Sequence, residues 1–169
     1  MNLNKFKNLP SPYILILIGP PISGKSFFCK QFISEIDKDV IIINRDDIVM
    51  ELANTRDYNI AFKNVNQKDV DKVLTEKFLD ANKNKRNVII DMTHMRSKRR
   101  KINLKYFTSD YYKLGVIFPI LDDEEYIRRN KKRTSEENKN ISMGIVENMI
   151  STYQVVDNEY EGFDKVITL

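Results

Sequence analysis

The feature that most constrains the fold is a buried strand followed at once by a phosphate-binding motif. Residues 13–18, Tyr-Ile-Leu-Ile-Leu-Ile, carry no charge, which is typical of a strand covered on both faces of a parallel sheet. The next eight residues, Gly19-Pro-Pro-Ile-Ser-Gly-Lys-Ser26, fit G-x-x-x-x-G-K-[ST], and apolar residues with helical spacing follow between Phe28 and Ile36. A strand, a glycine loop and a helix in this order predict a site for a nucleoside triphosphate.

The loop supplies most of the groups that we expect to hold the nucleotide. Gly19, Ser23 and Gly24 belong to the turn whose backbone N–H groups point towards the β- and γ-phosphates. Lys25 is expected to reach the same phosphates, and the Ser26 hydroxyl is expected to ligate Mg²⁺. The predicted cofactors are therefore ATP, or another nucleoside triphosphate, and Mg²⁺.

Length and composition favour a single domain. The 169 residues suffice for a substantial core, and 41% hydrophobic with 31% charged residues is typical of a folded globular protein. We expect a polar N-terminal leader over residues 1–12 and one P-loop kinase domain over residues 13–169. No apolar run is long enough to cross a bilayer, so we expect no membrane partner and a cytoplasmic location, or the host cytoplasm if a phage encodes the protein. One cysteine and one histidine exclude an internal disulfide and a structural zinc cluster.

Short apolar segments alternate with amphipathic ones along the rest of the chain. The pattern predicts further strands at 40–44, 88–90, 112–120 and 164–168, and helices at 48–53, 66–83, 97–107, 122–133 and 141–153. Ser97 is expected to cap the helix that it precedes. Such alternation predicts an α/β fold, a P-loop NTPase-type parallel sheet with helices on both faces and a helical lid.

Acidic residues follow two of these strands, and ligands of open parallel sheets bind beyond the carboxyl ends of the strands. Asp91 ends the third strand and is expected to support Mg²⁺, although an Asp at this position also caps turns. After the second strand, Asp46 or Asp47 is expected to accept the proton of an acceptor hydroxyl, or else to cap the helix at residue 48. His94, four residues after the third strand, either bonds a substrate or caps the following segment.

Arg129 and Arg133 are four residues apart, so on a helix they share one face. We expect both to contact the transferring phosphoryl group, whose charge arginines stabilise, and we expect residues 134–140, which lack apolar side chains, to form a mobile lid. The alternative is an ordinary solvated helix end.

A second basic run, Arg96-Ser-Lys-Arg-Arg-Lys101, continues to Lys105, with Lys83, Lys85 and Arg86 nearby in sequence. Such a run is either a solvated helix face or a surface that follows a phosphate backbone. The spacing alone leaves both interpretations open.

Together and in this order, these motifs resemble the 5′-kinase domain of the phage polynucleotide kinase family and the related domains of bacterial RNA-repair enzymes. The resemblance covers residues 14–153 and is carried by Gly19–Ser26, Ile43-Asn-Arg-Asp-Asp47, Val88-Ile-Ile-Asp-Met-Thr-His94 with Arg99-Arg100, and Arg129-Asn-Lys-Lys-Arg133. It implies ATP- and Mg²⁺-dependent phosphorylation of the 5′-hydroxyl ends of single-stranded RNA or DNA in nucleic-acid repair. It also leaves room for a separate phosphatase or ligase chain as a partner, and for an oligomer.

The resemblance also implies roles for individual residues. Lys25 and Ser26 match the phosphate and metal contacts, Asp46 matches the general base, and Arg129 and Arg133 match the lid arginines around the ATP phosphates. The substrate-binding candidates are Arg45, Asp46, Thr93, His94 and Arg96.

The chain departs from the family pattern at two places. Asp91 is shifted by one position relative to the acid of the phage enzyme, and Val49 stands where the family carries an arginine that grips the phosphate next to the acceptor hydroxyl. Arg45, Arg56 and Arg96 are the candidates to replace that arginine. Val49 favours the first alternative, a P-loop kinase of a small hydroxyl compound or nucleoside; the second alternative is a nucleotide-dependent binding protein without catalysis.

Overall fold

A computed structural model describes residues 3–55, 57–137 and 139–169, and its centre is a five-stranded sheet. The strands are β1 (Tyr13–Ile18), β2 (Ile41–Asn44), β3 (Val88–Asp91), β4 (Tyr112–Ile117) and β5 (Lys165–Thr168). They lie in the order β2-β3-β1-β4-β5, and every neighbouring pair is parallel. The predicted fold class, a parallel α/β sheet of the P-loop type with helices on both faces, is confirmed.

Helices connect the strands throughout the described residues. They are α1 (Lys25–Glu35), α2 (Arg45–Ala53), α3 (Tyr58–Asn64), α4 (Gln67–Lys83), α5 (Ser97–Leu104), α6 (Asp123–Glu137), α7 (Met143–Ser151) and α8 (Asn158–Glu161). Within the described part of the chain, no helix is both long and apolar enough to span a membrane.

The sheet is covered on both faces, and β1 shows why its sequence is uniformly apolar. Ile14, Ile16 and Ile18 belong to one buried cluster, together with residues of α2 and α4. Their neighbours Leu15 and Leu17 belong to a second cluster, which packs against α1. Since alternate side chains of a strand point to opposite faces, successive residues of β1 pack against the two helix layers in turn, and all six are buried.

The segment before β1 also packs against the core. A short 3-10 helix, Asn4–Phe6, places the Phe6 ring edge-on to Phe28 and Phe32 of α1, with ring centroids 5.2 and 5.9 Å apart. Leu3 and Phe6 are both buried. Leu3 and Phe6, with Leu9 packed beside them, therefore hold this mostly polar segment against the core.

At two helix starts, the residue predicted as a cap does not occupy the N-cap position. Helix α2 begins at Arg45, since the Asn44 side chain accepts a 2.7 Å hydrogen bond from the Asp46 backbone N–H. Asn44 is thus the cap, and neither Asp46 nor Asp47 serves in that role. At α5 the N-cap position belongs to Arg96, and the backbone N–H of Ser97 donates to Gln154 Oε1 at 2.8 Å, so the predicted Ser97 cap is wrong.

Other differences concern length. Strand β4 ends at Ile117, three residues before the predicted end, and α3 has no counterpart in the prediction. Helix α6 continues to Glu137, so the first four of the seven residues in the predicted lid segment 134–140 are helical. Asn138 of that segment lies outside the described residues.

Candidate active site

The site lies where three adjacent strands end. Asn44 of β2 and Asp91 of β3 are directly paired in the sheet register, and the loop after β1 adjoins them. The Gly19 backbone N–H donates to the Thr93 carbonyl at 2.9 Å, which ties the start of that loop to the segment after β3. The parallel sheet thus brings the loop and both acidic strand ends to one edge, as expected for an open α/β sheet.

Two glycines of the loop are required by its geometry. A Cβ atom on Gly19 would lie 2.8 Å from Phe118 Cβ and 3.1 Å from Ser23 Oγ, which is too close for any side chain there. Gly24, immediately before α1, has φ of +104°, a conformation that glycine adopts without strain. These two residues let the backbone turn tightly between β1 and α1.

Lys25 lies folded onto the loop. Its Nζ donates to the carbonyls of Gly19 at 3.0 Å and Pro20 at 2.5 Å and to Ser23 Oγ at 3.3 Å, and the residue is buried. Burial lowers the pKa of Lys25 to about 8, an effect that the nearby Asp91 charge opposes. The ammonium group is therefore held at the centre of the loop by neutral oxygens, where an anionic phosphate is a stronger partner.

Ser26 and Asp91 form an oxygen pair beside the loop. The exposed Ser26 hydroxyl donates to Asp91 Oδ2 at 3.0 Å, and Asn44 Nδ2 donates to the same oxygen at 3.2 Å. A hydroxyl and a carboxylate are ligands that suit Mg²⁺, which keeps several waters and takes phosphate oxygens besides. No group of three or more His, Cys, Asp or Glu suited to a metal exists among the described residues, so the donor set fits a nucleotide-bound cation rather than a protein-enclosed one.

Asp46 is distinguished from Asp47 by its surroundings. Asp46 is half-buried and accepts a 3.3 Å hydrogen bond at Oδ2 from the Tyr58 hydroxyl, whereas Asp47 is exposed. Burial raises the pKa of Asp46, while the Tyr58 bond and the charges of Lys139 and Arg133 oppose the rise. A desolvated carboxylate with raised basicity is the kind of group that accepts a proton in catalysis, so Asp46 is the better candidate of the two.

Helix α6 brings its arginines to the loop. Arg129 Nη1 donates to the Ile22 carbonyl at 3.4 Å, and its Nε donates to Glu125 Oε1 at 2.6 Å. Hydrogen bonds from Arg128 and Arg129 lower the pKa of Glu125 to about 2, so this carboxylate stays ionised and orients Arg129. Arg133, one turn further, lies close enough for its charge to act on both Lys25 and Asp46. The structure thus gathers both arginines around the loop and the carboxylate.

Several predicted substrate contacts lie elsewhere. Arg45 Nη2 binds Asp71 Oδ1 and Gln67 Oε1, each at 3.0 Å, on α4. Arg96 is exposed at the start of α5, and Thr93 joins the site through its backbone carbonyl. Val49 is fully buried in the core, so its position carries no cation towards the site. Arg56, the other proposed replacement for the family arginine, lies outside the described residues.

His94 has a structural role instead of the predicted substrate contact. Its Nδ1 lies 2.9 Å from the Leu17 carbonyl, and its Nε2 lies 2.8 Å from Asn103 Nδ2, which assigns a neutral ring with the proton on Nδ1. Burial lowers the pKa of His94 to about 4, which agrees with that neutral form. Since both ring nitrogens are bound inside the protein, His94 braces the segment after β3 against β1.

The second basic run does not form one surface. Arg100 is fully buried and ion-paired with Glu161, so it belongs to the core. Lys85 lies in the turn before β3 and binds Asp110 at 2.7 Å. This turn is at the amino ends of the parallel strands, whereas the phosphate loop is at their carboxyl ends. Arg100 is therefore not available to a phosphate backbone, and Lys85 is already bound to a carboxylate. The exposed cations of the run are Arg96, Lys98, Arg99 and Lys105.

Two residues near Asp46 were missed by the sequence analysis. Tyr58 begins α3, and the Lys139 ammonium lies 5.5 Å from the centroid of its ring. One local signal was present, since Asp57 caps α3 by accepting from the Ile60 backbone N–H. The contact of Tyr58 with Asp46 depends on how α3 packs against α2 and has no signal in the sequence.

The comparisons with known proteins agree with this geometry. A family model described as an AAA domain matches residues 14–156. A chain in the structure of the Pnkp1/Rnl/Hen1 RNA repair complex is 26% identical, with a TM-score of 0.70 over 95% of this chain and 49% of that one. The present chain thus spans about half the length of that relative. No curated protein sequence matches.

Two more distant structures share the fold alone. Kti12 of Chaetomium thermophilum, in complex with ADP-AlF3, is 13% identical with a TM-score of 0.65, over 92% of this chain and 88% of that one. A gluconokinase from Sinorhizobium meliloti 1021 is 10% identical with a TM-score of 0.55, over 95% of this chain and 83% of that one. These two proteins share the P-loop kinase-like fold with the present chain.

Proposed function

The chain belongs to the AAA domain family and has a P-loop kinase-like phosphotransferase fold, and from this premise we propose that it is an ATP-dependent polynucleotide 5′-hydroxyl kinase. It transfers the γ-phosphate of a nucleoside triphosphate to 5′-hydroxyl ends of RNA or DNA. The observation that carries the proposal is the half-buried Asp46 carboxylate, of raised pKa, within reach of the charges of Lys25 and Arg133. A base of this kind serves transfer to an acceptor hydroxyl.

The donor half of the reaction belongs to the loop. Lys25 exchanges its backbone carbonyl partners for the β- and γ-phosphate oxygens, and the N–H groups at the start of α1 bind the same phosphates. Ser26 and Asp91 would hold Mg²⁺, and the ion would neutralise charge on the phosphates. Arg129, which already contacts the loop backbone, and Arg133 bind the phosphates from the side of α6.

The acceptor half belongs to Asp46. Its carboxylate accepts the proton of the acceptor hydroxyl while the hydroxyl oxygen bonds to the γ-phosphorus. The bond from that phosphorus to the bridging oxygen of the donor breaks, and ADP leaves. Arg133 stabilises the charge on the phosphoryl oxygens during the transfer, and the Tyr58 hydroxyl fixes the orientation of the base.

The polymeric acceptor is supported by the similarity to the RNA repair complex. That likeness extends over 95% of this chain at 26% identity. The present chain spans 49% of the related one. A phosphatase or ligase chain that acts in the same repair process is the partner that we propose for this kinase. Repair of RNA or DNA ends is the process that we propose for this kinase.

A small-molecule acceptor is the second candidate, and two placements favour it. Val49 lies in the core, and Arg45 is bound to Asp71, so neither supplies a cation for a phosphate beside the acceptor hydroxyl. A small hydroxyl compound or nucleoside has no such phosphate and needs no such cation.

One assay separates the two candidates. The protein is incubated with Mg²⁺ and γ-labelled ATP, and 5′-OH RNA and DNA oligonucleotides are offered beside a panel of nucleosides and sugar acids. We expect label on the oligonucleotides, with loss of turnover in Asp46→Asn. Label only on small acceptors contradicts the polynucleotide kinase, and turnover that survives Lys25→Ala contradicts the role of the loop.

A further inference from the structure

Helix α3 presents a pair of aromatic rings beside the site. Tyr58 and Phe62 are four residues apart, hence on one face of the helix, and their ring centroids lie 4.7 Å apart with planes at 43°. The two residues differ in exposure: Tyr58 is half-buried, whereas Phe62 is 37% exposed. More than a third of Phe62 thus faces solvent, and this part of the residue can contact a ligand.

One member of the pair, Tyr58, contacts the candidate base directly. The Tyr58 hydroxyl donates to Asp46 Oδ2, and the Lys139 ammonium lies 5.5 Å from the centroid of the same ring. The Tyr58 ring is in contact with both Lys139 and Phe62. The Phe62 ring is therefore the more accessible of the two, and it lies on the side of Tyr58 away from Asp46. A group that stacks there lies a short distance from a hydroxyl at Asp46.

The charges around the aromatic pair indicate that a ligand stacked there also carries negative charge. Lys139 and Arg133 are cationic and act on Asp46 from the side of the lid segment. Aromatic rings beside cations are the combination with which proteins hold single-stranded nucleic acid, because bases stack on the rings and phosphates pair with the cations.

We propose that the terminal nucleobase of the acceptor stacks on the Tyr58–Phe62 pair, chiefly on the Phe62 ring, while its 5′-hydroxyl lies at Asp46. This inference rests on the proposed polynucleotide kinase and names how its acceptor is held. Stacking on an aromatic ring tolerates every base, so the site selects a nucleotide end without selecting its sequence. Tyr58 is in addition a positioning residue, since its hydroxyl orients the Asp46 carboxylate.

The test compares two acceptors that differ only in the terminal base. One is a single-stranded oligonucleotide with a 5′-OH end, and the other carries a 5′-terminal abasic tetrahydrofuran residue with the same hydroxyl. We expect the wild-type protein to show a KM roughly tenfold to a hundredfold higher for the abasic acceptor. Phe62→Leu should raise the KM for the normal acceptor towards that of the abasic one, with kcat little changed. Phe62→Tyr, which keeps a ring, should retain the discrimination.

Two further variants separate stacking from positioning and from folding. Tyr58→Phe keeps the ring and loses the hydroxyl; we expect an unchanged KM, a lower kcat and an acid limb of the kcat–pH profile displaced to higher pH, because the lost bond held the pKa of Asp46 down. Ile60→Ala, on another face of α3 and 50% exposed, is the matched control and should behave as wild type.

The outcomes distinguish this inference from the function on which it rests. Equal KM values of the wild-type protein for the two oligonucleotides, or equal losses of Phe62→Leu on both, overturn the stacking site and leave the kinase intact. An unmoved pH profile in Tyr58→Phe overturns the positioning role. If the wild-type protein labels no oligonucleotide while it labels a small acceptor, the proposed function fails and the nucleobase site fails with it.

Discussion

The Ser26 hydroxyl donates a hydrogen bond to Asp91 Oδ2 across 3.0 Å, which joins the first turn of α1 to the end of β3. The pair offers the two protein oxygens suited to the Mg²⁺ that accompanies a nucleotide. We therefore expect Asp91→Asn to raise the Mg²⁺ concentration for half-maximal turnover by about 10- to 100-fold. A Mg²⁺ titration of kinase activity measures the change; an unaltered midpoint would mean that Asp91 only anchors Ser26.

Asp46 and Asp47 are adjacent in the sequence, but we expect only Asp46 to contribute to turnover. Asp46→Asn removes the proton acceptor and should lower kcat by roughly 10²- to 10⁴-fold with ATP affinity retained. Asp47→Asn, at an exposed position in the same turn, is the control and should have little effect. Steady-state kinetics and calorimetric ATP binding give the two quantities. Loss of ATP binding in Asp46→Asn would move Asp46 from catalysis to nucleotide binding.

The pH dependence of turnover follows from the same residue. Asp46 acts only when ionised, so kcat rises with pH through its pKa, which burial raises above the ordinary value of an aspartate. The acid limb should therefore lie at a higher pH than that of an exposed aspartate, and the Asp46→Asn variant should lack it. A kcat–pH profile at saturating substrates tests both statements.

The affinity for ATP should also depend on pH, through Lys25, and it should fall as pH rises. Its pKa of about 8 means that part of the free protein carries a neutral amine in mildly alkaline solution, whereas a bound phosphate favours the charged form. ATP binding should therefore take up protons above that pH, and its affinity should fall as pH rises. Calorimetry in buffers of different ionisation enthalpy measures the uptake. Proton release on binding would contradict the assignment.

Arg133 and Arg128 provide a matched comparison on α6. Arg133 lies near Lys25 and Asp46, so Arg133→Ala should reduce kcat by about 10³-fold if it stabilises the transferring phosphoryl group. Arg128 is exposed and paired with Glu125, so Arg128→Ala should leave kcat nearly unchanged. If both substitutions lower kcat by equal and small factors, Arg133 has no role in the transfer.

Much of the site could be predicted because its determinants are local. The run at residues 13–18 and the glycines after it specify a strand and a tight turn through sequence-adjacent residues. The positions of Asp46 and Asp91 followed from a general property of parallel sheets, the meeting of carboxyl strand ends at one edge. These predictions needed no knowledge of which helix packs where.

The remainder depended on contacts between distant residues. Arg100 appeared as part of a solvated basic run, but its partner Glu161 lies 61 positions later in the chain. His94 was a substrate candidate because it follows a strand end, and only the positions of Leu17 and Asn103 show that both ring nitrogens are bound internally. The segment of α3 has apolar residues at helical spacing, Tyr58, Ala61, Phe62 and Val65, so the helix itself could have been predicted. Its approach to Asp46 depends on how α3 packs against α2, which no local pattern indicates.

The strand order has a consequence for how the protein acquires its site. β3 lies between β1 and β2, although it follows both in the chain, so the first two strands have no native hydrogen bonds to each other. During synthesis the phosphate loop and the turn that carries Asp46 are therefore made before they can be joined. The sheet connects them only after residues 88–91 have emerged and paired with both β1 and β2. Closing so long a loop is slow compared with forming local contacts. Nucleotide binding should accordingly begin with that insertion, and a bound nucleotide would then hold the newly joined strands together.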